Sequence, residues 1–422
     1  MRHRQFSERD GGCRHSVPQC GARPARRPRA DREWSSTVTV TAAKGFRAAG
    51  VAGGLKEDGR EDIAVVVNDG PEYSAAAVTT SNRVYAAPVA WTRLAASDGS
   101  LRAVVLNSGG ANACTGEAGY ADAVATAHLV ARSLDIAAAD VAVCSTGLIG
   151  QRLDMRAIRR GVGMALEALT DDGGEAAARA IMTTDTVPKT AAVTVDFTIG
   201  GMAKGAGMLA PQLATMLVVI TTDASVSRET AQFALNTAVE MSFNRIDSDG
   251  CMSTNDTVIL LANGASGYRP DPEEFTAALT GVAQDLAAQL IGDAEGASHD
   301  IAIEIAGASS QDAGLAVARA VARSNLLKAA IFGNDPNWGR VLASMGTVPQ
   351  EIAPFDPDAV DVIINGVSVC RNGGIGDPRE NVNMDERLVT IGIDLKAGTE
   401  SVRVLTNDLT YDYVTENSAY SS

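Results

Sequence analysis

Two hydrophobic patterns alternate along the chain. Short runs dominated by Val, Ile, Leu and Ala stand at 63–67, 75–79, 102–106, 141–144, 216–220 and 258–262, bounded by glycine or polar clusters. Runs of that length and composition read as strands buried on both faces. Between them, at 120–133, 155–169, 175–181, 228–242 and 272–290, apolar positions recur every three or four residues, the period of a helix with one face packed. Beyond residue 300 an alternating strand starts at Ile301, a helix is predicted at 311–326, and strands follow at 360–364, 388–393 and 402–405. Residues 44–56 read as a turn-rich opening. This order implies an α/β fold of packed layers, with a second, smaller α/β unit towards the C-terminus.

The stretch from Gly200 to Asp223 joins three of these signals: a glycine-rich loop carrying Lys204, a stop at Pro211, and the apolar run that begins at Met216. At the junction stands Ala214-Thr215. Thr215 has three readings. It can be an ordinary strand-opening threonine. It can follow a dinucleotide-binding turn, since Gly205, Gly207 and Ala210 match G-x-G-x-x-A, although Pro211 and a strand follow where that motif requires a helix. Or it can be a nucleophile released by cleavage of the Ala214-Thr215 bond. A hydroxyl needs a base beside it, and an N-terminal threonine carries one in its own α-amine, whose ordinary pKa is about 7.7 to 8.

Composition narrows these classes. Only four histidines occur, and His3 and His15 fall in the first 35 residues, leaving His128 and His299 for any histidine-based chemistry. That scarcity disfavours Ser-His-Asp and zinc mechanisms. The six cysteines, at 13, 20, 114, 144, 251 and 370, form no metal-ligand spacing and read as reduced thiols of a cytoplasmic protein. Residues 1–35 hold nine arginines against four acids and read as a disordered or upstream leader; with their +5 set against the total of −15, the rest of the chain carries −20. So acidic a body argues against nucleic acid as a partner, and no apolar run approaches the ~20 residues of a membrane span.

The run Lys204-Gly-Ala-Gly-Met-Leu-Ala-Pro-Gln-Leu-Ala-Thr215-Met-Leu closely resembles the self-cleavage motif of the ornithine acetyltransferases, also called bifunctional glutamate N-acetyltransferases, of arginine biosynthesis. Five further stretches resemble the same family: the glycine-rich loop 107–116, with Gly110 where the family usually has asparagine; 141–150; 182–189; 249–257; and 293–300, with His299 where many members have lysine. The C-terminal 417–422 extends the likeness, which covers residues 37–422.

The resemblance implies an N-terminal-nucleophile-like αββα layered core over 36–290, a smaller α/β domain over 291–422, and self-cleavage into an α chain, 1–214, and a β chain, 215–422, assembled as a heterotetramer of two α and two β chains. It implies Thr215 as nucleophile, Thr146 and Gly147 as oxyanion donors, and Thr184, Lys204, Thr215, Glu295, Asn417 and Ser422 as substrate-binding residues. No cofactor or metal is implied. N-acetylornithine would be the donor and glutamate the acceptor, with acetyl-CoA a candidate second donor. Outside the resemblance, an N-terminal-nucleophile aminopeptidase or amidase, a dinucleotide-binding oxidoreductase and a catalytically silent binding protein stay open.

Overall fold

The computed structural model describes residues 38–210 and 216–419. The leader, the Ala214-Thr215 pair and Ser422 lie outside the described residues. Three sheets organise the rest. The first joins β1 (Phe46–Val51), β2 (Ile63–Asn68), β4 (Ala103–Ser108) and β5 (Val141–Thr146) in the order β1-β2-β4-β5, with β4 and β5 parallel. The second joins β3 (Ser74–Thr79), β6 (Lys189–Thr194), β7 (Thr198–Lys204), β8 (Leu217–Thr222) and β9 (Thr257–Ala262) in the order β3-β9-β8-β7-β6, with β8 and β9 parallel.

Strand periodicity explains how these two sheets stack. Successive side chains of a strand point to opposite faces. In β8 and β9, Leu217, Val219, Ile259 and Leu261 join Val65, Val105 and Val143 of the first sheet in one core. Their neighbours Val218, Ile220, Val258 and Leu260 face α5 (Arg228–Glu240) and α6 (Pro272–Gly292) in another. The other face of the first sheet is covered by α2 (Gly116–Leu134) and α3 (Met155–Glu167), while α1 (Ala87–Ala95) runs along β5 and α4 (Gly174–Ala180) along β1. The result is the αββα layering that the resemblance implied. Buried on both sides, the central strands read as continuous apolar runs.

The third sheet joins β10 (Asp300–Ala308), β11 (Asp361–Ile364), β12 (Val367–Arg371), β13 (Gly374–Ile375), β14 (Leu388–Asp394) and β15 (Glu400–Asn407) in the order β13-β12-β11-β14-β10-β15. It shares its own core with α7 (Gln311–Ala322), α8 (Asn325–Phe332) and α9 (Trp338–Met345). A last helix, α10 (Tyr411–Ala419), follows β15.

Three local expectations are corrected. The turn-rich opening contains β1, whose register against β2 runs from Phe46↔Asn68 to Val51↔Ile63. The helix predicted at 311–326 is two helices, because the Ser324 hydroxyl accepts the Leu327 N–H at 3.3 Å and caps a new start. The glycine-rich loop begins only at Gly205: Lys204 is the last residue of β7, a strand buried along its whole length. Glycine is required within that strand, since a Cβ on Gly200 would stand 2.1 Å from the Thr39 carbonyl oxygen.

Register brings the ends of these strands together. Lys204 lies opposite Leu217, and Leu217 opposite Thr257, so the end of β7 and the starts of β8 and β9 meet at one edge of the second sheet. The Lys204 ammonium reaches Thr146, the last residue of β5, at 3.3 Å. Both sheets therefore end at one place.

Candidate active site

A cleft of about 820 Å³ opens at that edge. Thr146, Gly147, Thr184, Lys204, Glu295 and Asn417 all line it. Thr146 ends β5 and Gly147 begins the turn after it. The Thr146 carbonyl accepts the N–H groups of Gly109 and Gly110, each at 3.0 Å, so the loop after β4 holds this turn in place. Gly147 has φ +134, and a Cβ there would lie 2.5 Å from the Gly110 nitrogen. Only glycine fits so close a backbone crossing. Among the described residues the Gly147 N–H meets no acceptor, which leaves it and the Thr146 hydroxyl as the donors at this wall.

Behind the wall the network is polar and closed. The Ser145 hydroxyl donates to Asn107 Oδ1 at 2.6 Å, and Asn107 Nδ2 donates to the Gly110 carbonyl at 3.0 Å. Asn255 Nδ2 spans the carbonyls of Ala111 and Ser145 at 2.6 and 2.8 Å. Three loops distant in sequence are thus tied through fully satisfied amides, which favours a single rigid geometry.

Lys204 is buried with a set of opposing charges. Burial lowers its pKa, Asp185 opposes the shift and Lys189 adds to it. Asp185 accepts Lys189 Nζ at 2.6 Å, the Gly205 N–H at 2.7 Å and the Thr183 N–H at 3.0 Å, and Lys189 also pairs with Asp293. Burial alone would raise the Asp185 carboxyl, but the Lys204 and Lys189 ammoniums outweigh it and the group sits below the usual range. Asp185→Asn leaves two buried ammoniums short of a counter-charge and should cost about 3–5 kcal/mol, read as a lower urea midpoint. The sign with pH follows from the depressed folded value. This stabilisation is complete above the unfolded carboxyl pKa of about 3.9 and is lost as pH falls towards the folded value, so the variant should be less acid-sensitive there.

Glu295, also of the cleft, follows α6. Its backbone N–H donates to the Ala206 carbonyl at 3.0 Å, while Thr184 Oγ1 donates to Oε1 at 2.7 Å and Asn417 Nδ2 to Oε2 at 2.9 Å. Asn417 arrives on α10, none of whose residues is buried. What holds α10 here is its first turn: the Thr410 hydroxyl donates to the Gly296 carbonyl at 2.6 Å and accepts the Tyr413 N–H at 2.9 Å. His299, where many members of the resembled family have lysine, pairs with buried Asp408 at 2.8 Å just before α10.

Two acids of the cleft were not singled out from sequence. Asp293 pairs with Lys189, and the Thr186 N–H donates to it at 3.0 Å. Asp249 accepts the Met208 N–H at 2.7 Å and the Cys251 N–H at 3.1 Å, and burial pushes its carboxyl up to about 6. Asp249 opens the polar cluster 249–257, so its location was visible although its role was not.

Among the described residues no group of three or more His, Cys, Asp or Glu could hold a metal ion, and no helix is long and apolar enough to cross a membrane. The profile of the ArgJ family matches residues 47–422. An arginine biosynthesis bifunctional protein ArgJ from Thermobifida fusca is 58% identical over 91% of this chain and all of that protein, and its namesake from Streptomyces avermitilis is equally similar. The crystal structure of an ornithine acetyltransferase from Mycobacterium tuberculosis, complexed with ornithine, is 53% identical over 42% of this chain and 96% of that one, with a TM-score of 0.41. With the profile spanning nearly the whole described chain and relatives of this identity matching end to end, the chain belongs to the ArgJ family, enzymes of arginine biosynthesis.

Proposed function

We propose that the chain cuts itself between Ala214 and Thr215, and that the freed Thr215 hydroxyl carries an acetyl group from N-acetylornithine to glutamate. The observation that carries this reading is the convergence of Thr146, Gly147 and Lys204 with Thr184, Glu295 and Asn417 on one cleft. Thr215 is joined directly to Met216, whose successor Leu217 pairs with Lys204. In the reaction, Thr215 Oγ attacks the acetyl carbonyl and its proton passes to the α-amine. The Thr146 hydroxyl and Gly147 N–H stabilise the oxyanion, and the proton leaves with ornithine. Glutamate then attacks the acetyl-threonine ester by the same route. A ping-pong cycle of this kind needs no cofactor.

The charges of the cleft suit the donor, whose α-carboxylate fits Lys204 and whose free side-chain ammonium fits Glu295; the acceptor shares the α-carboxylate, and Ser422 would complete the Glu295 side. The bifunctional name of the relatives supports acetyl-CoA as a second donor. The third sheet and its separate core support a smaller domain over 291–422, and the free thiols Cys114, Cys144, Cys251 and Cys370 suit the cytoplasm. Assembly of two α and two β chains completes the reading.

The deciding experiment incubates the enzyme with N-acetylornithine, with and without glutamate. Acetylglutamate formed through a mass-detectable acetyl-Thr215 peptide supports the reading; release of free acetate at the same rate in both mixtures identifies water as the acceptor and rejects it. Glu295→Gln should raise KM for N-acetylornithine roughly tenfold or more, with a smaller change in kcat, because a charge-assisted contact is worth about 1.5–3 kcal/mol. An unchanged KM would remove Glu295 from substrate recognition.

A further inference from the structure

Glu295 has a close neighbour besides its hydrogen-bond partners. A Cβ on Gly207 would lie 2.5 Å from Oε2 and 2.7 Å from Oε1 of Glu295, so the bare backbone of the loop 205–209 forms one wall of the place this carboxyl occupies. From the same loop the Ala206 carbonyl accepts the Glu295 N–H at 3.0 Å. A shift of residues 206–208 is therefore felt at Glu295.

Within that loop Met208 has φ +52, in the left-handed region that a residue with a Cβ seldom adopts without support. Asp249 supplies the support. Its Oδ2 accepts the Met208 N–H at 2.7 Å, and this N–H belongs to the peptide unit joining Gly207 to Met208. Its Oδ1 accepts the Cys251 N–H at 3.1 Å, which fixes the carboxyl on its own segment. The Leu209 carbonyl accepts the Ser248 N–H at 2.6 Å and the Asp249 N–H at 3.4 Å, so the 248–249 step grips the loop on both sides of Met208. Behind it the buried Lys328 ammonium donates to the Ser248 carbonyl and, at 3.3 Å, to Thr406 Oγ1. Holding two N–H groups on two oxygens suits a carboxylate; asparagine has one acceptor oxygen.

We propose that Asp249 is a positioning residue for recognition of the donor: it holds the Gly207–Met208 peptide against Glu295 and so sets where that carboxyl meets the substrate ammonium. This rests on the reading of Glu295 given above. Around Asp249 stand Lys328 from α8, Asp247 of its own segment, which pairs with Arg323 at 2.7 Å, the Cys251 thiol, and the Tyr413 hydroxyl from α10. Burial pushes the Asp249 carboxyl up to about 6, against the Cys251 and Met208 N–H groups and Lys328. Burial also raises the Cys251 thiol, and Tyr413 to about 12, so both keep their protons in that range. Because the folded value exceeds the ordinary carboxyl pKa of about 3.9, the ionised group costs stability above about pH 6, and that cost is lost as pH falls through about 6. Acidification thus relieves the fold while it weakens the two N–H contacts.

The test measures steady-state kinetics of the purified enzyme with N-acetylornithine as the varied substrate, for wild type, Asp249→Asn, Glu295→Gln and the double variant. Asp249→Asn should raise KM about three- to tenfold, the worth of one hydrogen bond, with a smaller change in kcat. Added to Glu295→Gln it should cost almost nothing further, because the two act in one contact. Wild-type KM should climb as pH falls from about 7.5 to about 5.5 while Tm holds or rises, and in Asp249→Asn the climb should be absent. The wild-type profile needs no variant, so a flat one overturns the proposal even if Asp249→Asn fails to accumulate. The proposal is also overturned by an unchanged KM in Asp249→Asn, by KM effects that multiply in the double variant, or by a climb that survives in Asp249→Asn. An Asp249→Asn chain that stays uncut at the wild-type Tm would place Asp249 in processing and overturn it too. If Glu295→Gln leaves KM unchanged, the reading of Glu295 falls and this proposal with it; if Glu295→Gln raises KM and Asp249→Asn does not, this proposal falls alone.

Discussion

Thr215→Ala should appear under denaturing conditions as one species of 43.6 kDa, where the wild type appears as two fragments whose masses meet between Ala214 and Thr215. The variant should also lose acetyl transfer to the limit of detection. Both losses follow from one deletion. Alanine has no hydroxyl to attack the Ala214 carbonyl, so no ester forms, the peptide bond stays intact and no α-amine is released. Even if the chain were cut by other means, no oxygen would be present to hold the acetyl group. Thr215→Ser is the informative companion. It restores a hydroxyl and should be cut, but more slowly, because serine lacks the β-methyl that confines threonine at χ1. An alanine variant cut at the same bond would show that the nucleophile lies elsewhere, and the acetyl-threonine cycle would fall with it.

How much of this could be read from sequence varied with the range of the interactions involved. Strands β2, β4, β5, β8 and β9 announce themselves because burial on both faces leaves continuous apolar runs, a local signal. Strand β7, Thr-Ile-Gly-Gly-Met-Ala-Lys, does not, because Gly200 is dictated by the crossing of Thr39 some 160 residues earlier in the chain. Its neighbours in the sheet explain why a segment so poor in β-branched residues is extended at all. The same holds at the cleft. Thr146, Lys204 and Glu295 sit in motifs that can be recognised, yet nothing local reveals that Lys204 is buried against Asp185 or that Thr184 and Asn417 converge on opposite oxygens of one carboxylate. Asp249 and Asp256 are polar residues in a turn-rich stretch until the fold encloses them. Their carboxyls acquire unusual proton affinity from burial, a property of the whole chain rather than of a motif.

That dependence on long-range packing is sharpest at Gly147, where alanine should reduce kcat by about 10² to 10³ with little change in KM. The added methyl would meet the Gly110 nitrogen at 2.5 Å, the Gly110 Cα at 2.9 Å and the Gly109 carbonyl carbon at 3.0 Å. All three are backbone atoms, so relief must come from moving the chain rather than from turning a side chain. The φ of +134 adds strain of about 1–3 kcal/mol for any residue with a Cβ. The two hydrogen bonds from Gly109 and Gly110 to the Thr146 carbonyl are the contacts that must yield, and they are what aims the turn into the cleft. Stability should therefore fall modestly while the oxyanion donors lose their alignment. On the proposed reading, cleavage of the Ala214-Thr215 bond and transfer of the acetyl group would both pass through a tetrahedral oxyanion, so the variant should also process slowly. Steady-state kinetics on its cut fraction, beside a precursor time course, would read both effects. A variant that melts a few degrees lower but keeps wild-type kcat and normal processing would mean that Gly147 serves only the backbone crossing, and that the oxyanion is stabilised elsewhere in the cleft.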